Sequence, residues 1–163
     1  MYVKPVVLVL TAVLALGAAA TASADPADRT PIPPPSDQIS TGCGFPVLVE
    51  YVEWNVISTT FSSEASPLVE IQSGVAKVRL TNLETGESIE LNISGPLTLQ
   101  VFADGSTVES RVGPWLFVDV PPGQGVPPLF LSEGRVTFTF DAAGNLTVAS
   151  SGRVVDLCAQ LAA

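Results

Sequence analysis

The chain has no histidine. That excludes the Ser/His/Asp and Cys/His nucleophile pairs, an imidazole zinc site and any imidazole acid or base working near neutral pH. Positive charge is scarce as well, with 7 Lys and Arg against 16 Asp and Glu and a net charge of −9. Nucleic acid is not an expected partner, because such binding rests on neutralising phosphates with Lys and Arg. Helical periodicity of useful length is missing throughout. What remains is 163 residues, enough for one small, acidic, β-rich domain.

The N-terminus carries a short basic start up to Lys4, an apolar run over residues 5–20, and Ala22-Ser23-Ala24. This is the layout of a secretory signal peptide, residues 1–24, with the mature chain starting at Asp25. The apolar run is shorter than the roughly 20 residues a spanning helix needs, so no stable membrane insertion is expected after cleavage. No twin arginine precedes the run, and Ser40-Thr41-Gly42-Cys43 lacks the aliphatic residue of a lipoprotein box. The expected location is extracellular.

Residues 25–42 contain five prolines and only two large aliphatic side chains. Such a stretch buries too little apolar surface to offset its ordering entropy and is expected to be a disordered, polyproline-like linker. Cys43 and Cys158 then bracket everything that looks folded. In an oxidising compartment they are expected to form one intramolecular disulfide, worth about 4 to 5 kcal/mol at most in the chain-entropy model, and to define a domain over residues 43–163. An intermolecular bridge or a free thiol is the alternative.

Within that domain, short strand-like runs alternate with turn signals. A loop at residues 84–87 sets Leu80 opposite Leu91 and Val78 opposite Ile93. A two-residue Asp104-Gly105 turn sets Val101 opposite Val108, Leu97 opposite Val112 and Gln100 opposite Glu109. The loop at residues 141–145 sets Phe140 opposite Leu146 and Phe138 opposite Val148, with Thr139 and Thr147 outward. Further runs at 46–51, 55–61, 68–72 and 115–120 bring the total to about ten strands. The fold class is all-β, an antiparallel meander forming a barrel or a sandwich. Only the last eight residues suit a helix, capped by Asp156. Residues 115–118 are apolar on both faces, which fits a strand covered on both sides or the wall of a cavity.

Catalysis in such a chain would rest on carboxylates, a lysine, hydroxyls or a metal. Glu50 with Glu53, Glu84 with Glu87, and Asp119 with Glu133 are the neighbouring carboxylates to consider for glycoside hydrolysis. With 16 acids, such neighbours arise by chance. Lys77 invites a Ser/Lys or Schiff-base role, but its place on the wet face of the first hairpin, one pleat from Arg79, argues for a solvated or ion-paired residue. The oxygen-rich loops at 104–106 and 141–145 lack the spacing of a calcium loop and are explained by turn chemistry. Asn92-Ile93-Ser94 and Asn145-Leu146-Thr147 match the glycosylation acceptor pattern, which matters only in a eukaryotic secretory pathway. No catalytic residue, metal ligand or cofactor is assigned. The most suggestive feature is aromatic: Tyr51, Trp54, Trp115, Phe117 and Phe130 are expected to gather around the proline-rich loop at 121–128. There they form either a plain core or a pocket for a lipid-like or aromatic small molecule.

The Cys43-Gly44-Phe45-Pro46 start, the 81–86 turn, Asp104-Gly105-Ser106 and the closing segment 152–158 resemble a group of secreted, functionally uncharacterised proteins of actinobacteria. The resemblance covers most of residues 43–160 and implies an all-β fold, a single disulfide joining the ends of the domain, and secretion. It transfers no active site. The expected function is a secreted, non-enzymatic β module that binds a small apolar ligand or a cell-surface partner. The alternatives are a small barrel enzyme, such as a cyclase, isomerase or carboxylate-based hydrolase, and a cell-envelope structural or adhesion protein using its proline-rich tail.

Overall fold

The computed structural model describes residues 27–63, 66–121, 123 and 125–162. The expected signal peptide, residues 1–24, lies outside the described residues. Among the described residues there are nine strands and one short helix: β1 (Asp28–Ile32), β2 (Gln38–Ser40), β3 (Val47–Ser63), β4 (Ser66–Asn82), β5 (Ser88–Asn92), β6 (Leu97–Val101), β7 (Thr107–Phe117), β8 (Phe130–Phe140), β9 (Leu146–Asp156) and α1 (Leu157–Leu161). Every pairing is antiparallel, in one sheet that runs β1-β3-β4-β6-β7-β8-β9, with β2 beside β3 and β5 beside β4. The sheet is not closed. Among the described residues no helix is long and apolar enough to cross a membrane.

The nine strands match the expected ten or so in number but divide the chain differently: β3, β4 and β7 each join two of the expected runs, and β1 and β2 are added. β3 joins the runs at 46–51 and 55–61 through a bulge between Tyr51 and Glu53. The extra residue, Val52, reverses the alternation, so Val47, Val49 and Tyr51 before it and Trp54 and Val56 after it all pack on one face. β4 runs straight through Gly74, which reads in sequence as a break. Gly74 has φ +149°, and a Cβ there would stand 2.0 Å from the Asn55 carbonyl oxygen, so only glycine lets the strands meet at this point.

The linker expectation for residues 25–42 is corrected too. Residues 28–32 and 38–40 pair with β3, Asp28 opposite Thr60 through Ile32 opposite Val56, and Gln38 opposite Val49 through Ser40 opposite Val47. Prolines favour extended backbone, and Pro31 costs no ladder bond on the outer side of an edge strand. The Trp54 indole N–H donates to the Ile32 carbonyl at 2.8 Å and fastens β1 in place.

Of the three hairpin registers, β8–β9 forms as expected, with Phe140 opposite Leu146, Phe138 opposite Val148 and Thr139 opposite Thr147. In β4–β5 the register moves by two residues, Val78 opposite Leu91 and Leu80 opposite Ile89, which leaves the faces unchanged. The loop is residues 83–86, closed by the Asn82 N–H donating to the Glu87 carbonyl at 2.9 Å. In β6–β7 the register moves by one, Val101 opposite Thr107 and Gln100 opposite Val108, so the expected facing of apolar side chains is lost. The cause is a three-residue loop, 103–105, in which Gly105 takes φ +84° while the Phe102 N–H donates to the Ser106 carbonyl.

A row of glycines crosses the last three strands, Gly113 opposite Gly134 and Gly134 opposite Gly152. A Cβ on Gly134 would lie 2.0 Å from the Ser151 carbonyl oxygen and one on Gly152 2.7 Å from that of Glu133. Bare backbone at this row lets the strands approach and bend where side chains would hold them apart. The sheet thereby turns back on itself, and Val47, Val49, Val78 and Leu80 from its first half share a core with Leu129, Leu131, Leu157 and Leu161 from its last.

Cys43 and Cys158 close this end as a disulfide with Cα atoms 5.2 Å apart and a sequence separation of 115. The expected helix is present: Asp156 is its N-cap and accepts from the Ala159 N–H at 3.1 Å. Buried Asn82 donates through Nδ2 to the Leu161 carbonyl at 3.0 Å. Replacing both cysteines by alanine is expected to lower unfolding free energy by about 4 kcal/mol in urea titration, since the loop released is long. Gly134→Ala is expected to cost about 2 to 3 kcal/mol in the same measurement, as overpacking against backbone; a loss below 0.5 kcal/mol would show that the row is not under steric constraint.

Candidate functional site

The two faces of the β8–β9 hairpin are both apolar at the core end. Leu131 and Val155 point into the core, whereas Phe130, Val136 and Phe138 of β8 and Leu146, Val148 and Val154 of β9 line a groove of about 460 Å³ on the opposite face. Its second wall is the segment that leaves β7, with Phe117, Val118, Val120, Pro121 and Val126. Phe117 and Phe130 stack with centroids 4.7 Å apart, and Phe138 tilts against Phe117 at 6.1 Å. The polar residues of the lining are Asp119, Ser132, Ser150, Ser151 and Arg153, and Ser132 is buried.

Asp119 shapes the lip of this groove. It holds φ +52°, a left-handed turn that aspartate tolerates better than most residues, and so redirects the chain out of β7. Its carboxylate accepts from buried Ser40 Oγ at 2.7 Å and from the Gly42 N–H at 3.3 Å. The Val120 N–H donates to the Pro128 carbonyl at 2.9 Å and closes the base of the loop.

The five aromatic residues picked out from sequence do not form one cluster. Phe117 and Phe130 line the groove, as expected for the proline-rich loop. Tyr51, Trp54 and Trp115 instead line a smaller pocket of about 210 Å³ together with Ile93, Gly95 and Arg111. Tyr51 and Trp54 meet edge to face at 5.5 Å, a contact the β3 bulge makes possible. Burial, with Asp37 nearby adding to it, raises the Tyr51 pKa, so the phenol stays protonated. The buried Trp115 indole nitrogen has no hydrogen-bond partner among the described residues and lies under Gly95. Residues 115–118 do face two ways: Leu116 packs against the core and Phe117 faces the groove, while Val118 touches both.

Arg111 escaped the sequence reading. Its guanidinium lies 4.9 Å from the Trp115 ring centroid, 5.2 Å from Phe117 and 5.3 Å from Phe138, and pairs with Glu109. It fastens the aromatic face of β7 to that of β8. Trp115 and Phe117 follow it on β7 with the same alternation, while Phe138 reaches it only through the β7–β8 register. The groove's β8–β9 wall, by contrast, was readable: the third hairpin already placed Phe138, Phe140, Leu146 and Val148 on one face.

The carboxylate pairs go their separate ways. Glu53 pairs with Lys77 at 2.7 Å, which makes Lys77 the ion-paired surface residue it was expected to be and raises its pKa through that hydrogen bond. Glu133 pairs with Arg153 at 3.3 Å, and Asp119 is held by Ser40 and Gly42. In the 141–145 loop the Asp141 carboxylate accepts from the Ala143 and Asn145 N–H groups and from Asn145 Nδ2. Asp104 accepts from the Ser106 N–H and Oγ. Among the described residues no three cysteine, aspartate or glutamate side chains converge as a metal-binding set.

With this geometry described, comparison with protein-family models, curated proteins and solved structures finds no match to the chain.

The turn aspartates give the fold an acid-sensitive component. Hydrogen bonds from the Asn145 side chain lower the Asp141 pKa, and those from the Ser106 side chain lower that of Asp104. A folded pKa below the unfolded one adds stability above the ordinary aspartate pKa, and that stability disappears as pH falls through the depressed value. The Asp104→Asn/Asp141→Asn double variant is therefore expected to lose less thermal stability than wild type between neutral and acid pH; parallel Tm profiles would contradict this.

Proposed function

We propose that the protein is a non-catalytic β module that holds a small apolar ligand in the groove between the β8–β9 wall and the chain at residues 118–121 and 126. The observation that carries this reading is the groove itself, about 460 Å³ lined by Phe117, Phe130, Phe138 and a set of valines. Ligand pockets are concave, mostly apolar and furnished with few polar groups, and here the polar lining is limited to Asp119, Arg153 and three serines, of which Ser132 is buried. Its one carboxylate, Asp119, is already engaged by Ser40 and Gly42 in holding the lip. The ligand class is a hydrocarbon chain or an uncharged aromatic molecule, in keeping with a net charge of −9 that repels anions.

The place of action in this proposal is outside the cell. A signal-like N-terminus, a disulfide and the resemblance to secreted all-β proteins of actinobacteria all support it.

Titration with an uncharged fluorescent naphthylamine is expected to give saturable binding. Val126→Glu, a change on the half-buried lip that leaves the sheet untouched, is expected to weaken it about tenfold, or 1.4 kcal/mol. Absence of saturable binding, or equal binding by the variant with an unchanged circular dichroism spectrum, would overturn the assignment.

A further inference from the structure

The sheet ends in several edges, and all but one are blunted. β1 has five residues with Asp28, Arg29 and Pro31 among them, β2 has three, and β5 has five with Glu90 at its centre. Short length, charge and proline are the devices by which proteins keep edge strands from pairing with other chains. β9 is neither short nor interrupted by proline, and its charges stand only at its C-terminal end. It is 11 residues long, pairs among the described residues only with β8, and carries no charge from Leu146 to Gly152. Leu146, Val148 and Val154 are 52%, 48% and 40% exposed along it.

We infer that β9 is the pairing edge for β9 of a second copy, joined antiparallel about a two-fold axis at Ser151. The sequence of the strand is complementary to itself in this register. Val148 falls opposite Val154 of the second copy on the groove face, so two exposed apolar side chains cover each other. The only charged residues of the strand, Arg153 and Asp156, fall opposite Ala149 and Leu146, so no like charges meet. A two-fold axis perpendicular to the sheet keeps both grooves on the same side, and the apolar faces run on from one copy to the next. Each unpaired N–H and C=O on the outer side of β9 finds a partner.

The test is analytical ultracentrifugation of the purified protein with matched charge variants. Wild type is expected to sediment with twice the mass of one chain. Val148→Lys/Val154→Lys sets lysine against lysine twice and is expected to give the single-chain mass. Val148→Lys/Val154→Glu restores opposite charges in the same places and is expected to restore the dimer, which a merely destabilised fold would not do. Ser151→Cys is expected to give a covalent dimer on mild oxidation. Ala149→Cys is not, because its two copies lie about 14 Å apart along the paired strands, beyond disulfide reach. A wild type that stays monomeric overturns the inference and leaves the edge to an extended segment of another protein. A dimer that survives the lysine pair, or that cross-links equally through Ala149→Cys, overturns it as well.

Discussion

One sheet has no second layer to pack against, so its apolar face leaves water only where the sheet returns on itself. That constraint organises this molecule. The side chains with no exposure at all, among them Val47, Val49, Val78, Leu80, Leu129, Leu157 and Leu161, sit where the first strands meet the last ones and α1. The same end collects the long-range ties. Cys43 is bonded to Cys158, Asn82 to the Leu161 carbonyl, and Ser40 and Gly42 to Asp119. Each joins segments far apart in sequence, and each would be lost if the sheet were flat.

The bend has a price in coverage. Away from the closed end, large apolar side chains remain partly in water, including Ile57, Phe61, Phe102 and Phe140. The hairpin β8–β9 uses one face for the core and offers the other as a groove, and its outer edge carries no strand. The glycine row Gly113–Gly134–Gly152 underlies both results, because it lets the last three strands turn toward the core without side chains in the way. The buried core and the exposed apolar groove thus come from the same distortion of the sheet.

Features that depend on local chemistry were legible in the sequence. The all-β class, the disulfide, the Asp156 cap, the ion-paired Lys77 and the β8–β9 register follow from turn residues, alternation and one pair of cysteines. The misreadings lie where a single residue changes parity or where a neighbour supplies the reason. Val52 reverses the faces of β3 and brings Trp54 round to Tyr51, which plain alternation would set on opposite sides. Asp104-Gly105 suggests a two-residue turn, yet the Asp104 carboxylate binds Ser106 and Gly105 closes on the Phe102 carbonyl, which makes the loop one residue longer. Gly74 and the prolines of residues 28–40 read as breaks until β3 is present to pair with them. The aromatic set divides for the same reason, since its members are distributed by strand register and not by nearness in sequence.

Native-state hydrogen exchange tests the shared core most directly, because residues that belong to one cooperative unit open with one free energy. The amides of Val49 and Leu80, in the first half of the sheet, and those of Leu131 and Leu157, in the last, are expected to be the slowest in the molecule and to exchange with the same free energy and the same dependence on urea. If β3 and β4 exchange with one free energy and β8, β9 and α1 with another, the two halves fold separately and do not share the core described.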